Sequence, residues 1–289
     1  METVSEWWSR GTREQLALRG VQRTVFVRRA GAGPTLTLLH GFPSSSHDWA
    51  GLLAGLAAEH EVLAADFLGF GASEKPREHE HSIAEQADLV EAVWARAGVR
   101  ASALVAHDYG VTVAQELLAR RAQGSLSVRL SGVHFLNGGL YSDVYRPLPG
   151  QLALADPELG PQIAAQIGHE AFVEALRATF AEDFDSAAAR ERIWETMSRE
   201  DGHAQIHRLI RYMGERERNA ERWQGALEAT DVPLAFTWGM LDPISGAHMA
   251  ERVRARLPYA PLTALEDVGH WPMLEAPERV LASLLAAPS

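Results

Sequence analysis

Asp108, Asp242 and His270 are the residues whose types and order could carry chemistry. Asp108 stands in Ala106, His107, Asp108, Tyr109, Gly110, where a short apolar run stops and a helical pattern starts at once. Small residues on either side of an aspartate permit a strained strand-to-helix corner with the carboxylate at its tip. At the start of a helix that carboxylate faces backbone N–H groups and the positive end of the dipole, which favour its anion by roughly 0.3–1 kcal/mol. An aspartate there is also a common N-cap. As a nucleophile it attacks amides and ordinary esters poorly, but it can displace a leaving group from saturated carbon and become an ester. Epoxides and carbon–halogen bonds are the substrates that suit it.

Asp242, in LDP, reads alone as a turn residue, and His270 alone as a core or loop histidine. Both follow a strand pattern, and the order acid, acid, histidine is that of a nucleophile, an orienting acid and a base. The conjunction says more than any member does.

These positions require strands that end at one edge of a sheet. RGVQRTVFVRR at 19–29 alternates apolar with polar, and GAGP precedes the buried run TLTLLH, which predicts an edge hairpin leading into a central strand. HGFPSSSHDW follows at 40–49, a tight turn whose N–H groups can face a cleft, with the Phe42–Pro43 bond expected trans. A helix is predicted from Trp49 to His60, then a strand over VLAAD, with Asp66 pinning the turn-rich loop after it. Ser82 and Glu85 have capping-box spacing before an amphipathic helix that runs to Gly98. After the Asp108 helix, LSGVHFLNGG is one more buried strand.

Between residues 140 and 228 strand signals vanish and helical patterns dominate. VPLAFTWGMLDP, a helix near 246–256 and PLTALE resume the earlier rhythm. The expectation is an α/β fold with a mostly parallel doubly wound sheet, its core at 1–139 and 229–289 and an inserted helical lid at 140–228. Within the lid Phe172, Phe180, Trp194, Met197 and Met213 are candidates either for an apolar pocket or for lid core.

The chain has 289 residues, 46% hydrophobic, enough for a large core. It has no cysteine, which excludes disulfides and thiolate metal sites. A formal charge of −11 argues against nucleic acid or an anionic membrane as a general partner. No apolar run is long enough for a membrane span, and METVSEWWSRGTREQL lacks a basic-then-apolar layout, so the cytoplasm is expected. The sequence does not specify an oligomeric state.

HGFP at 40–43, DFLGFGASEKP at 66–76, HDYG at 107–110, WGMLD at 238–242 and GHW at 269–271 resemble the α/β-hydrolase superfamily, in the branch of epoxide hydrolases and haloalkane dehalogenases. FPSSSHDW, HDYGVTVAQELL and LNGG are similar in wording to the mesoderm-specific transcript protein family. The resemblance implies Asp108 as nucleophile, His270 as base and Asp242 as its partner, with backbone N–H groups of Phe42 and Tyr109 as the oxyanion hole. It further implies a small apolar organic substrate, with water as co-substrate and neither metal nor cofactor required. His40, Gly41, Pro43, His107 and Trp271 flank these positions and are assigned to substrate binding.

Matching positions separate the activities within the branch. Dehalogenases resemble one another in Asn and Trp side chains that hold the departing halide, and here those positions are Phe42 and Tyr109. The arginines that follow the nucleophile in fluoroacetate dehalogenases are absent from DYGVTV. Epoxide hydrolases donate a proton from lid tyrosines, and IRYMGERERNAERW at 210–223 is similar to their second tyrosine segment, which marks Tyr212. For the first tyrosine the spacing does not match, and Tyr141 is preferred over Tyr145. The resemblance therefore implies an epoxide hydrolase, with dehalogenase-like or lactone-opening chemistry as an alternative and a non-catalytic ligand-binding module as a third reading.

Overall fold

The structure, a computed structural model, describes residues 2–286. Eight strands form one sheet: β1 (Thr12–Leu18), β2 (Val21–Ala30), β3 (Thr35–Leu39), β4 (Glu61–Ala65), β5 (Ala101–Ala106), β6 (Arg129–Phe135), β7 (Leu234–Gly239) and β8 (Leu262–Leu265). Their order is β1-β2-β4-β3-β5-β6-β7-β8, with β1 and β2 antiparallel to their neighbours and all other pairs parallel. β3 and β5 sit at the centre and are buried nearly throughout, because helices cover both faces of a parallel sheet. Ligands of such sheets bind beyond the carboxyl ends of the strands.

The edge hairpin is displaced from its predicted place. The alternating segment at 19–29 is β2, and its partner is the preceding β1 rather than β3. The turn is Arg19 and Gly20 at φ 49° and 83°, the left-handed pair that a two-residue hairpin needs. The helix predicted from Trp49 to His60 is a 3₁₀ turn, Ser46–Trp49, and one short helix, Leu53–Leu56. Glycines at 51 and 55 weaken a longer helix there.

Other local signals hold. Ser82 caps the helix Ile83–Ala97 by accepting the Glu85 N–H at 3.2 Å, and Gly98 ends it at φ 72°. The box is not reciprocal, because the Glu85 carboxylate pairs with His79 Nε2 at 2.6 Å. Asp66 pins its loop as expected, accepting N–H groups of Ser46 at 2.8 Å and Ala72 at 2.7 Å. Between β6 and β7 lie short helices from Pro149–Ala155 to Ala220–Ala229 and, among the described residues, no strand. No helix of the described residues is long and apolar enough to cross a membrane.

Candidate active site

β5 ends at Ala106 and the helix Tyr109–Ala122 begins three residues later, so the chain must turn sharply at Asp108. Asp108 takes φ 44° and ψ −101°, a conformation costing a non-glycine residue on the order of 1–3 kcal/mol. Its neighbours impose it. The Asp108 N–H donates to the Asn137 carbonyl at 2.8 Å, and the Gly110 N–H donates to the carbonyls of His107 at 2.8 Å and His40 at 3.0 Å. A side chain on Gly110 would stand 2.3 Å from the Leu39 carbonyl oxygen, so only glycine lets the helix start this close to β3.

Although Asp108 occupies the N-cap position, its side chain makes no capping bond. The carboxylate turns instead toward the end of β3, where its Oδ2 accepts the Phe42 N–H at 2.9 Å. The Tyr109 N–H, at the first turn of the helix, has no acceptor among the described residues. The Phe42 N–H thus faces the Asp108 carboxylate.

His270 and Asp242 arrive from the loops after β8 and β7. His270 Nδ1 lies 2.8 Å from Asp242 Oδ2, and its Nε2 lies 4.0 Å from Asp108 Oδ1. Asp242 is held by Asn137 Nδ2 at 3.0 Å, the Ser245 hydroxyl at 2.6 Å and the Ile244 N–H at 2.8 Å. Burial raises the Asp242 carboxyl, but His270 and these donors outweigh it and hold the acid well below its ordinary range. Burial opposes charge on His270, yet the charge and hydrogen bond of Asp242, with Asp108 behind them, push the imidazole up to about 9. The arrangement can hold a proton on His270 while Asp108 is anionic, and can release it once Asp108 is neutral.

Two histidines assigned to substrate binding do other work. His40 Nδ1 donates to the Gly41 carbonyl at 2.8 Å and its Nε2 accepts the Phe67 N–H at 3.0 Å, so both ring nitrogens tie β3 to the Asp66 loop. His107 Nε2 donates to the His270 carbonyl at 2.8 Å. Burial pushes both imidazoles below their ordinary value, which keeps them neutral pins. Gly41 is the close-packing point between them, since a side chain there would lie 2.6 Å from His107 Nδ1. Phe42, Pro43 and Trp271 do line a cavity, and the Phe42–Pro43 bond is cis rather than trans. Trp271 Nε1 is committed to the Thr179 hydroxyl at 2.8 Å.

The helical segment supplies a phenol. Tyr212 is fully buried, and its hydroxyl donates toward Asp108 Oδ1 and Oδ2 at 3.3 and 3.4 Å. Tyr141, the other tyrosine preferred from sequence, is not beside Asp108. It lies under Arg252, its ring centre 5.6 Å from the guanidinium carbon. Tyr145, one turn of loop later, shares with Tyr212 the guanidinium of Arg216, at 4.6 and 4.9 Å from the two ring centres. The cavity, of about 400 Å³, lies between this segment and the sheet edge, and Leu154, Ile163, Phe172, Leu176, Ile206 and Ile210 make its wall. Phe180 stacks on Trp271, while Trp194 and Met197 pack within the segment and Met213 accepts the Tyr145 hydroxyl at 3.7 Å. No group of three or more metal-ligating side chains gathers among the described residues.

Asn137, bonded to Asp242, and Arg216, packed on Tyr212, also reach this cluster, and the sequence marks them unequally. Asn137 falls in the LNGG stretch at the end of a strand, the same kind of position as the three titratable residues, and that was its signal. Arg216 reads in sequence as one more charge in a charged run.

A profile of the alpha/beta hydrolase family matches residues 38–283. The chain is 38% identical over 264 residues to the putative hydrolase LipZ of Mycobacterium tuberculosis, covering 91% of each chain. It is 37% identical over 255 residues to the human mesoderm-specific transcript homolog protein, covering 86% of this chain and 76% of that one. Its fold is similar to that of the haloalkane dehalogenase DbeA from Bradyrhizobium elkani, with a TM-score of 0.78, 21% identity and coverage of 95% and 96%. With a mostly parallel eight-stranded sheet carrying Asp108, Asp242 and His270 beyond its strand ends, the chain belongs to the alpha/beta hydrolase family.

Proposed function

We propose that this hydrolase opens epoxides to vicinal diols through a covalent ester on Asp108, with residues 140–228 serving as a lid over the core formed by 1–139 and 229–289. The observation that carries the reading is the Tyr212 hydroxyl at 3.3 and 3.4 Å from the two Asp108 oxygens, which sets a phenol proton donor directly beside the nucleophile.

In the first half, an Asp108 oxygen bonds to a ring carbon as the carbon–oxygen bond breaks, and the freed alkoxide takes the Tyr212 proton. The anion is now a phenolate and Asp108 is a neutral ester. Loss of the Asp108 charge removes one of the groups that keep His270 protonated, so the imidazole gives its proton to solvent and stands neutral for the next step, and regains a proton when Asp108 is anionic again.

In the second half, His270 Nε2 takes a proton from water and the hydroxide attacks the ester carbonyl carbon. The oxyanion that forms falls to the N–H groups of Phe42 and Tyr109, a contribution of about 2.7–4 kcal/mol per donor in comparable sites. Collapse expels the diol oxygen, which takes a proton from His270. The proton that ester hydrolysis leaves over returns to Tyr212, and the enzyme is restored.

Halide displacement is the weaker reading. The side chains of Phe42 and Tyr109 carry no N–H, and that of Trp271 is engaged by Thr179. A buried halide would lack its donors, each worth about 1.5–3 kcal/mol. The test is a panel of aryl and alkyl epoxides against chloro-, bromo- and iodoalkanes, with diol and halide measured separately. Diol without halide is the expected result, and halide release without diol formation would overturn the reading.

A further inference from the structure

Arg216 is 2% exposed and lies within the helix Tyr212–Arg218, yet among the described residues no carboxylate lies within ion-pair distance of it. Its neighbours on the helix do not serve, for Glu215 turns away to accept the Ile83 N–H at 3.2 and 3.3 Å. Nε and Nη2 donate to the Thr112 hydroxyl at 3.2 and 3.0 Å, which fixes the guanidinium to the helix that Asp108 begins. Nη1 is buried without an acceptor.

Room for this group is built into the chain. A side chain on Gly139 would stand 2.0 Å from Arg216 Nη1, so the second glycine of LNGG is the space the guanidinium fills. A buried guanidinium without a carboxylate is costly, and an apolar residue of similar volume would favour the fold more. What the guanidinium does touch is the pair of phenol rings, Tyr145 and Tyr212.

We propose that Arg216 is a positioning residue for ring opening: it holds the Tyr212 ring beside Asp108, with Tyr145 packed on the same guanidinium, and stabilises the negative charge that Tyr212 acquires on giving up its proton. The inference rests on the epoxide reading for its kinetic consequence, but the hold of Arg216 on Tyr212 is measurable without substrate. The groups facing Tyr212 are Asp108 and the Tyr109 ring at the start of the helix Tyr109–Ala122, Tyr145 from the segment after β6, and Arg216 itself. Burial, Asp108 and Tyr145 all disfavour a phenolate there, and Arg216 is the group that opposes them. Burial also raises Tyr145, to about 12, against the same guanidinium.

The experiment combines a substrate-free titration with a double-mutant cycle in the full chain. With [13C]tyrosine, the Tyr212 ring resonance is identified by its loss in Tyr212→Phe and followed from neutral to alkaline pH. Its ionisation should begin at higher pH in Arg216→Met by about one unit, and Arg216→Lys should restore most of the difference. With styrene oxide, Arg216→Met should lower kcat roughly ten-fold with little change in KM, and should add almost nothing in the Tyr212→Phe background. A general packing defect would instead lower both backgrounds alike.

Gly139→Ala displaces the guanidinium without deleting it, and should move the titration as Arg216→Met does, which keeps the test decisive if Arg216→Met fails to fold. An unmoved onset in the folded variants overturns the proposal. A moved onset with no epoxide opened by any variant overturns the epoxide reading and leaves the coupling of Arg216 to Tyr212 standing.

Discussion

The Asn137 side-chain amide donates to Asp242 Oδ2 at 3.0 Å, and its main-chain carbonyl accepts the Asp108 N–H at 2.8 Å. One residue at the end of β6 thus fixes both the strained corner and the acid behind His270. The same side chain bridges to β7, accepting the Gly239 N–H at 2.6 Å and donating to its carbonyl at 2.8 Å. Asn137→Ala keeps the main-chain bond to Asp108 but leaves the Gly239 N–H and carbonyl without this partner and Asp242 with one donor fewer, and we expect a loss of about 1–3 kcal/mol in denaturant unfolding together with a fall in kcat. An unchanged midpoint with full activity would show that the bridge matters to neither.

The tyrosines have separable effects. Tyr212→Phe should slow epoxide opening by roughly 10²–10⁴-fold, the usual range for a positioned general acid. Tyr145→Phe should cost less, because its hydroxyl points to Met213 rather than to Asp108. Tyr141→Phe should leave the rate unchanged, since its ring packs under Arg252. Rates with one aryl epoxide across the three variants check this order, and a larger defect in Tyr141→Phe than in Tyr212→Phe would reverse it.

Stability should carry the signature of His270. Its folded-state value is pushed up to about 9 from an ordinary 6.5, so the charged form favours folding at pH below 6.5 and that contribution fades as pH rises through about 9. The difference in unfolding free energy between wild type and His270→Gln should therefore shrink across this window. A difference that is flat or grows with pH would mean that Asp242 and Asp108 do not charge the imidazole.

How much of this was legible in the sequence follows from what sets each position. Asp108, Asp242 and His270 were readable because a strand pattern ends just before each of them, and parallel strands bring their ends to one edge. Ser82 and Gly98 were readable because caps are local. His40 and His107 were misassigned because a ring's partner depends on tertiary neighbours, Phe67 in one case and the His270 carbonyl in the other. The place of Tyr141, under Arg252 rather than beside Asp108, turns on the path of a loop without periodicity. β1 went unseen since TREQLAL becomes a strand only by pairing with β2.

The cavity wall sets substrate size. Leu176 lines it within the helix His169–Arg177, and Leu176→Trp should raise KM for bulky aryl epoxides while leaving a three-carbon epoxide nearly unaffected. Equal effects on both, with the fold intact, would place the substrate elsewhere.

The covalent ester is open to direct observation. His270→Gln keeps the Asp108 nucleophile and removes the base that frees it, so incubation with styrene oxide followed by mass spectrometry of the intact chain and its peptides reads the first half of the reaction alone. We expect the peptide holding Asp108 to gain the full mass of the epoxide, with no gain in Asp108→Ala/His270→Gln. A wild type that forms diol while His270→Gln carries no adduct on Asp108 would contradict the account.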